Sequence, residues 1–401
     1  MIDGKPYPIP KTWTESSIGK VIVKAKQRDP RKKPDEIFQY VDVSGVSNES
    51  FKITGATPTL GSEAPSRARK ANETDDVLFA TVRPMLKRIA LVPPELNGAI
   101  ASTGYCILRC EKAKADPGFF YSFLITDHFN ARMAGLERGA SYPAVRDSDV
   151  TASWLPLPPL PEQTQIAHIL STVQRAIEAQ ERVIATTTEL KKALMHKLFT
   201  EGLRHEPQKQ TEIGPIPESW KVMVIGDVFK FTSGKVKPKG TSPERTEEQN
   251  IPVYGGNGVL GYSSQRLLDD RTLILGRVGE YCGCAHLTAP ISWVTDNALY
   301  VKEEKIAVSR HYARTHFENL NLNQYSNKMG QPLITQGIIN RVKFGLPSRE
   351  EQDELAHAFT TIDTRLTQHA SKKGILQDLF RTLLHELMTA KTRVHDIALR
   401  M

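Results

Sequence analysis

The strongest constraint on this chain is a gapless internal repeat. Shifted by 189 residues, positions 157–200 fall on 346–389, and 12 of the 44 pairs are identical, among them Glu162/Glu351, Gln163/Gln352, His168/His357, Leu190/Leu379 and His196/His385. Chance at ordinary residue frequencies would give roughly three. A second repeat runs at an offset of 207: Pro8-Ile9-Pro10-x-x-Trp13 matches Pro215-Ile216-Pro217-x-x-Trp220, and Ile18-Gly19 matches Ile225-Gly226. The two offsets differ by 207 − 189 = 18, so the first intervening segment is about 18 residues longer than the second. The plan is an entry motif, a variable segment and a long helix, and then the same again.

The repeated segments read as helices. Pro161 suits a first turn, where a missing N–H costs nothing. Ser348 and Glu351 form an S-x-x-E capping box, and Gly202 is a natural stop. A helix over 160–202 is about 64 Å long. Apolar residues step by four and three, as in a coiled-coil seam. They are Ile166, Leu170, Val173, Ile177, Ile184, Leu194 and Leu198 in the first helix, and Leu355, Phe359, Ile362, Leu366, Leu376, Phe380, Leu383 and Leu387 in the second. Both sets share one heptad phase. Gln180, Thr187, Lys191, His369 and Lys373 are polar seam positions, which lower stability but hold register. A pseudo-two-fold across two like halves makes the pair antiparallel, with Gln180 and Ile184 near Lys373 and His369 at the midpoint. The alternative is two independent helical arms, each packed on its own domain.

The variable segments read as mixed α/β. Strands are expected at Val77–Val82, at Thr272–Leu275 and across Trp293–Val301, and a helix over Pro117–Met133. The expected divisions are 1–155, 156–204, 205–344 and 345–401. The chain's net charge of +8 is concentrated in the two variable segments. Residues 1–155 carry 22 Lys/Arg against 18 Asp/Glu and residues 206–344 carry 17 against 14. Basic excess favours phosphate partners, though such a balance is common.

The four cysteines, Cys106, Cys110, Cys282 and Cys284, lack the further ligands of a zinc site and are read as buried free thiols. The histidine pairs lie 28 residues apart on each helix, about 42 Å, too far for one site within a helix. The apolar runs are too short to span a bilayer. The opening Met1-Ile2-Asp3-Gly4-Lys5-Pro6 has no signal-peptide pattern, so a cytoplasmic protein is expected. No phosphate loop is present; Ser233-Gly234-Lys235-Val236 fails at its last position.

The segment joining the halves reads Leu194-Met195-His196-Lys197-Leu198-Phe199-Thr200-Glu201-Gly202-Leu203-Arg204, then Thr211-Glu212-Ile213-Gly214-Pro215-Ile216-Pro217-Glu218-Ser219-Trp220. It resembles the centre of type I restriction–modification specificity subunits, as does Leu157-Pro158-Pro159-Leu160-Pro161-Glu162-Gln163. The resemblance covers the whole organisation and is strongest in the repeats. It implies two unlike target-recognition domains separated by two long antiparallel helices, with no cofactor, no metal and no catalytic centre. It also implies double-stranded DNA, two modification subunits and restriction subunits as partners. The expected target is asymmetric and bipartite, with half-sites about one helical turn apart. An adenine methyltransferase of such a system would resemble proteins with an Asn/Asp-Pro-Pro-aromatic site; Pro93-Pro94-Glu95 and Pro158-Pro159-Leu160 do not match. A methyltransferase or nuclease with an unrecognised site and a non-DNA coiled-coil scaffold stay open as alternatives.

Candidate DNA contacts in the first domain are Arg67, Arg69 and Lys70 after a Gly/Pro-rich loop, Arg83, Lys87 and Arg88 after a strand, and Ser141 and Tyr142. Lys24, Lys26, Arg28, Arg31, Lys32 and Lys33 suit phosphate positioning. In the second domain they are Lys235, Lys237 and Lys239, the Gly256-Asn257 turn, Arg277, Tyr281 and Gln331. Arg can hold guanine bidentately, whereas Lys more often meets phosphate. The plain alternatives are a solvated charged face and a simple hairpin turn. The match of Gly256–Gly261 to G-x-G-x-x-G lacks the strand and helix a dinucleotide site needs. Arg277-Val278-Gly279-Glu280-Tyr281 follows the Thr272–Leu275 strand, in the place of Thr81-Val82-Arg83.

Overall fold

A computed structural model describes residues 7–327 and 330–395. The opening hexapeptide lies outside the described residues. The chain divides into two compact units: residues 1–179 with 372–401, and residues 180–371. The central helix, Leu160–Glu201, and the C-terminal helix, Arg349–Met388, each contribute one segment to each unit.

Within each unit the two helix segments run antiparallel. In the first, Ile166 and Leu170 from the start of the central helix share a core with Leu387 and Met388 from the end of the other. In the second, Met195 and Phe199 join Leu355 and Phe359. Each core is closed by both helices, so the alternative of two independent arms does not hold. At the expected midpoint His369 Nδ1 lies 2.8 Å from Gln180 Oε1. Gly202 ends the central helix at φ +69, a left-handed conformation, and a Cβ there would meet the Pro217 ring at 2.8 Å.

The units share a sheet plan. The first has a four-stranded sheet in the order Ile22–Val23, Tyr105–Cys110, Val77–Ala80, Ile89–Leu91. The second has the same arrangement in Phe229–Ser233, Ala298–Glu304, Leu273–Gly276, Ala285–Leu287. Beside it, Ile37–Val41 pairs antiparallel with Ala56–Leu60 and parallel with Ile100–Ser102. Ile251–Gly255 repeats this with Gly258–Ser263 and Trp293–Val294. The first unit adds a strand, Ala68–Ala71, on the far side of Ile100–Ser102. That strand belongs to the extra length implied by the unequal offsets.

One joint fixes each sheet module to a helix start. Trp13 Nε1 donates to Glu162 at 3.2 Å, and Trp220 Nε1 donates to Glu351 at 3.0 Å. The next residue also repeats its contacts. Gln163 donates to the Pro158 carbonyl and accepts from the Asp116 amide, while Gln352 donates to Pro347 and accepts from Ser309. Buried side-chain amides and carboxylates mostly hold their positions through hydrogen bonds of this kind. The repeated Pro…Trp and Glu-Gln motifs are therefore halves of one structural device.

Three local readings are corrected. Ser348 Oγ accepts from the Glu351 amide, but the Glu351 carboxylate goes to Trp220 and to the Leu203 amide, so the reciprocal arm of the capping box is missing. The helix read over Pro117–Met133 is two helices, Pro117–Leu124 and Asp127–Gly135. The run from Trp293 to Val301 is broken between Trp293–Val294 and Ala298–Glu304. All four cysteines are free, and burial pushes the Cys106 and Cys110 thiols up to about 12. Among the described residues no group of three or more His, Cys, Asp or Glu side chains could hold a metal, and no helix is long and apolar enough to cross a membrane.

Candidate nucleic-acid interface

Each unit carries two loops stitched together by backbone pairing. In the first, Val82 bridges Ala144, the Arg83 amide donates to the Pro143 carbonyl at 2.7 Å, and Val145 donates to Thr81. In the second, Val278 bridges Leu333, the Gly279 amide donates to Pro332 at 2.9 Å, and Ile334 donates to Arg277. The pairing fixes the equivalence residue by residue: Thr81 with Arg277, Val82 with Val278, and Arg83 with Gly279. Tyr142 and Gln331 match in the facing loop at the offset of 189.

Arg83 sits in the left-handed region at φ 50, ψ 56, and its guanidinium lies over the exposed Tyr142 ring, 5.5 Å from the centroid. A planar cation over an aromatic face is attracted by the ring quadrupole. Ser141 and Arg67 are also exposed. Other candidates are engaged within the unit. Arg88 Nη1 donates to the carbonyls of Ser44 at 3.1 Å and Val46 at 2.6 Å, clamping the turn after Ile37–Val41. Lys70 pairs with Asp147 at 3.0 Å, Lys87 with Asp127 at 2.8 Å and Arg69 with Asp29 at 3.4 Å.

In the second unit Lys235, Lys237 and Lys239 are exposed on the loop after Phe229–Ser233. Gly256 approaches the Asn297 carbonyl so closely that a Cβ would stand 3.3 Å from it, with the Gly276 Cα at 3.5 Å. The glycine lets the Ile251–Ser263 hairpin press against the Arg277 turn, leaving Asn257 exposed at its tip. Arg277 is half-buried and donates to Ser233 Oγ at 2.9 Å beside a cavity of about 280 Å³. Tyr281 and Gln331 are exposed. Gly279 has φ +83, and the Gln331 amide nitrogen lies 3.7 Å from where its Cβ would stand. The interface candidates therefore fall into exposed groups, chiefly Arg67, Arg83, Tyr142, Asn257, Gln331 and the three lysines, and supporting groups held by internal partners. Gly279 was not singled out by sequence; the loop alignment at offset 189 is the signal that leads to it.

The type I restriction modification DNA specificity domain matches twice, at residues 10–186 and 217–377. The type I restriction enzyme MjaVIII specificity subunit of Methanocaldococcus jannaschii is 23% identical over 441 residues, covering 97% of this chain and 95% of that one. A chain solved for the structural basis underlying complex assembly and conformational transition of the type I R-M system matches with a TM-score of 0.55 at 28% identity, covering 96% of this chain and 99% of that one. The type I restriction-modification S subunit from M. genitalium shares the fold, with a TM-score of 0.65 at 18% identity over 94% of this chain and 96% of that one. With two copies of the domain on one duplicated frame, the chain belongs to the type I restriction modification DNA specificity family, whose members recognise DNA for the enzyme rather than supply its catalytic centre.

Proposed function

We propose that this chain reads an asymmetric, bipartite DNA target, one half-site with each recognition module, and directs two modification subunits and the restriction subunits to it in the cytoplasm. The observation that carries this reading is the repeated Trp–Glu joint. It anchors two modules of one sheet plan to equivalent helix starts, while the exposed loop residues differ at nearly every position. A like frame with unlike contacts is what a protein needs to read two different half-sites. The proposed divisions remain 1–155 and 205–344 for the recognition modules, with 156–204 and 345–401 as the helices between and after them.

Arg67, Arg83, Tyr142, Ser141, Asn257, Gly256, Arg277, Tyr281 and Gln331 are proposed near bases, and Lys235, Lys237 and Lys239 on phosphates. Arg69, Lys70, Lys87 and Arg88 shape the first interface through their internal partners. Leu190 and Leu379, equivalent at offset 189, are both exposed on the helices, as are Val183 and Ile375. Exposed leucines on a helix face suit partner helices, and two equivalent ones suit two like subunits. Replacing residues 14–152 with the corresponding segment of another family member tests the reading. Motif mapping should then show one half-site changed and the other kept; a change in both would overturn it.

A further inference from the structure

The stitched loops hold one turn position and one facing position in each unit, and the occupants differ. The first unit has Arg83 and Tyr142; the second has Gly279 and Gln331. Both turn positions have positive φ, 50 for Arg83 and +83 for Gly279. Glycine is the default residue for such a backbone, and an arginine there is held against its own preference. The side chain that occupies the first turn is exposed, with its guanidinium over the Tyr142 ring. In the second unit the bare turn leaves that space to the Gln331 carboxamide.

We propose that Arg83 and Gln331 are the base-selecting side chains at this shared position, Arg83 taking a guanine in one half-site and Gln331 an adenine in the other. The assignment rests on the bipartite DNA reading above. Its chemistry is that of the major-groove edges. Two parallel guanidinium donors match guanine O6 and N7, and a carboxamide matches adenine N6 and N7 with one donor and one acceptor. Tyr142 is a positioning residue, limiting the guanidinium to one plane. Glycine at 279 keeps a second side chain from displacing the carboxamide.

The test uses the full chain with its modification subunits and a library of target duplexes, each base pair varied in turn. Arg83→Gly copies the occupant of the equivalent turn, so the backbone is retained; melting curves check this. Arg83→Lys keeps the charge but not the planar fork. Both variants should lower preference for guanine at one base pair of one half-site by roughly 5- to 100-fold, leaving the other half-site unchanged. Gln331→Ala should do the same for one adenine in the other half-site. An Arg83→Lys variant with wild-type base preference, or an Arg83→Gly variant that weakens all duplexes alike, would make Arg83 a phosphate contact and overturn the assignment. Loss of an adenine preference in the Arg83 half-site on Gln331→Ala would overturn it as well. A wild-type complex with no base preference anywhere would instead bring down the bipartite reading itself.

Discussion

Gln180 and His369 are the same residue position in the two repeats, 189 residues apart, and they touch: the His369 Nδ1–H donates to Gln180 Oε1 at 2.8 Å. Both belong to the second unit, where the contact joins the two antiparallel helix segments. On a mostly apolar seam this polar pair costs stability and selects one register over slipped ones. Alanine at either position should cost about 0.5–1.5 kcal/mol. A double-mutant cycle by thermal or denaturant unfolding should show positive coupling. Additive single effects would mean that the two side chains do not interact.

Lys191 is a second polar seam residue, 8% exposed, pairing with Glu318 at 2.7 Å and Asp363 at 2.8 Å. Arg314 also holds Asp363, at 2.6 Å. Removing one member of a buried pair strands the others. Here both carboxylates are part-exposed and Asp363 keeps Arg314, so the loss is moderated. Lys191→Ala should destabilise by about 1–3 kcal/mol, and Lys191→Met by less, in equilibrium unfolding.

His316 is fully enclosed among Phe199, Tyr312 and Phe344, and burial holds its pKa down to about 3 against an ordinary 6.5. Below pH 6.5 the unfolded chain therefore binds a proton here that the folded chain does not. Stability from this group is complete above 6.5 and falls by about 1.4 kcal/mol per pH unit down to 3. His128, held down to about 4 by burial and then by His385, acts in the same direction. His316→Phe should flatten the acid limb of a stability–pH curve; an unchanged slope between pH 6 and 4 would contradict this.

Exposed Lys237 gives the electrostatic prediction. Lys237→Ala should weaken binding to all duplexes about equally and reduce the slope of log affinity against log salt by about 1. A change confined to one base position would move Lys237 from phosphate to base contact.

The long helices and their joints were legible because their signals are local or repeated. Glu162 and Glu351, or Leu170 and Phe359 on one seam phase, are visible in the string of residues. The capping box was half legible: Ser348 caps as expected, but the Glu351 carboxylate is claimed by Trp220, 131 residues away. Pairing at that range leaves no periodic trace. The same limit applies to the candidate interface. Arg88 and Lys70 read as surface cations, yet the carbonyls of Ser44 and Val46 and the carboxylate of Asp147 hold them. Nor could spacing show that Arg83 matches Gly279 rather than Arg277; the backbone pairing of Pro143 and Pro332 decides it. Met195 and Phe199 are buried although neither lies on the expected seam, because the helix meets its sheet module as well as the other helix.

The most direct measurement is methylome sequencing of cells that carry this chain with its modification subunits. The account predicts a modified motif with two unlike half-sites around an unread spacer, and a longer spacer when whole helical turns are inserted after Thr188 and at the matching position of the C-terminal helix. A single contiguous motif, or a spacer indifferent to those insertions, would contradict it.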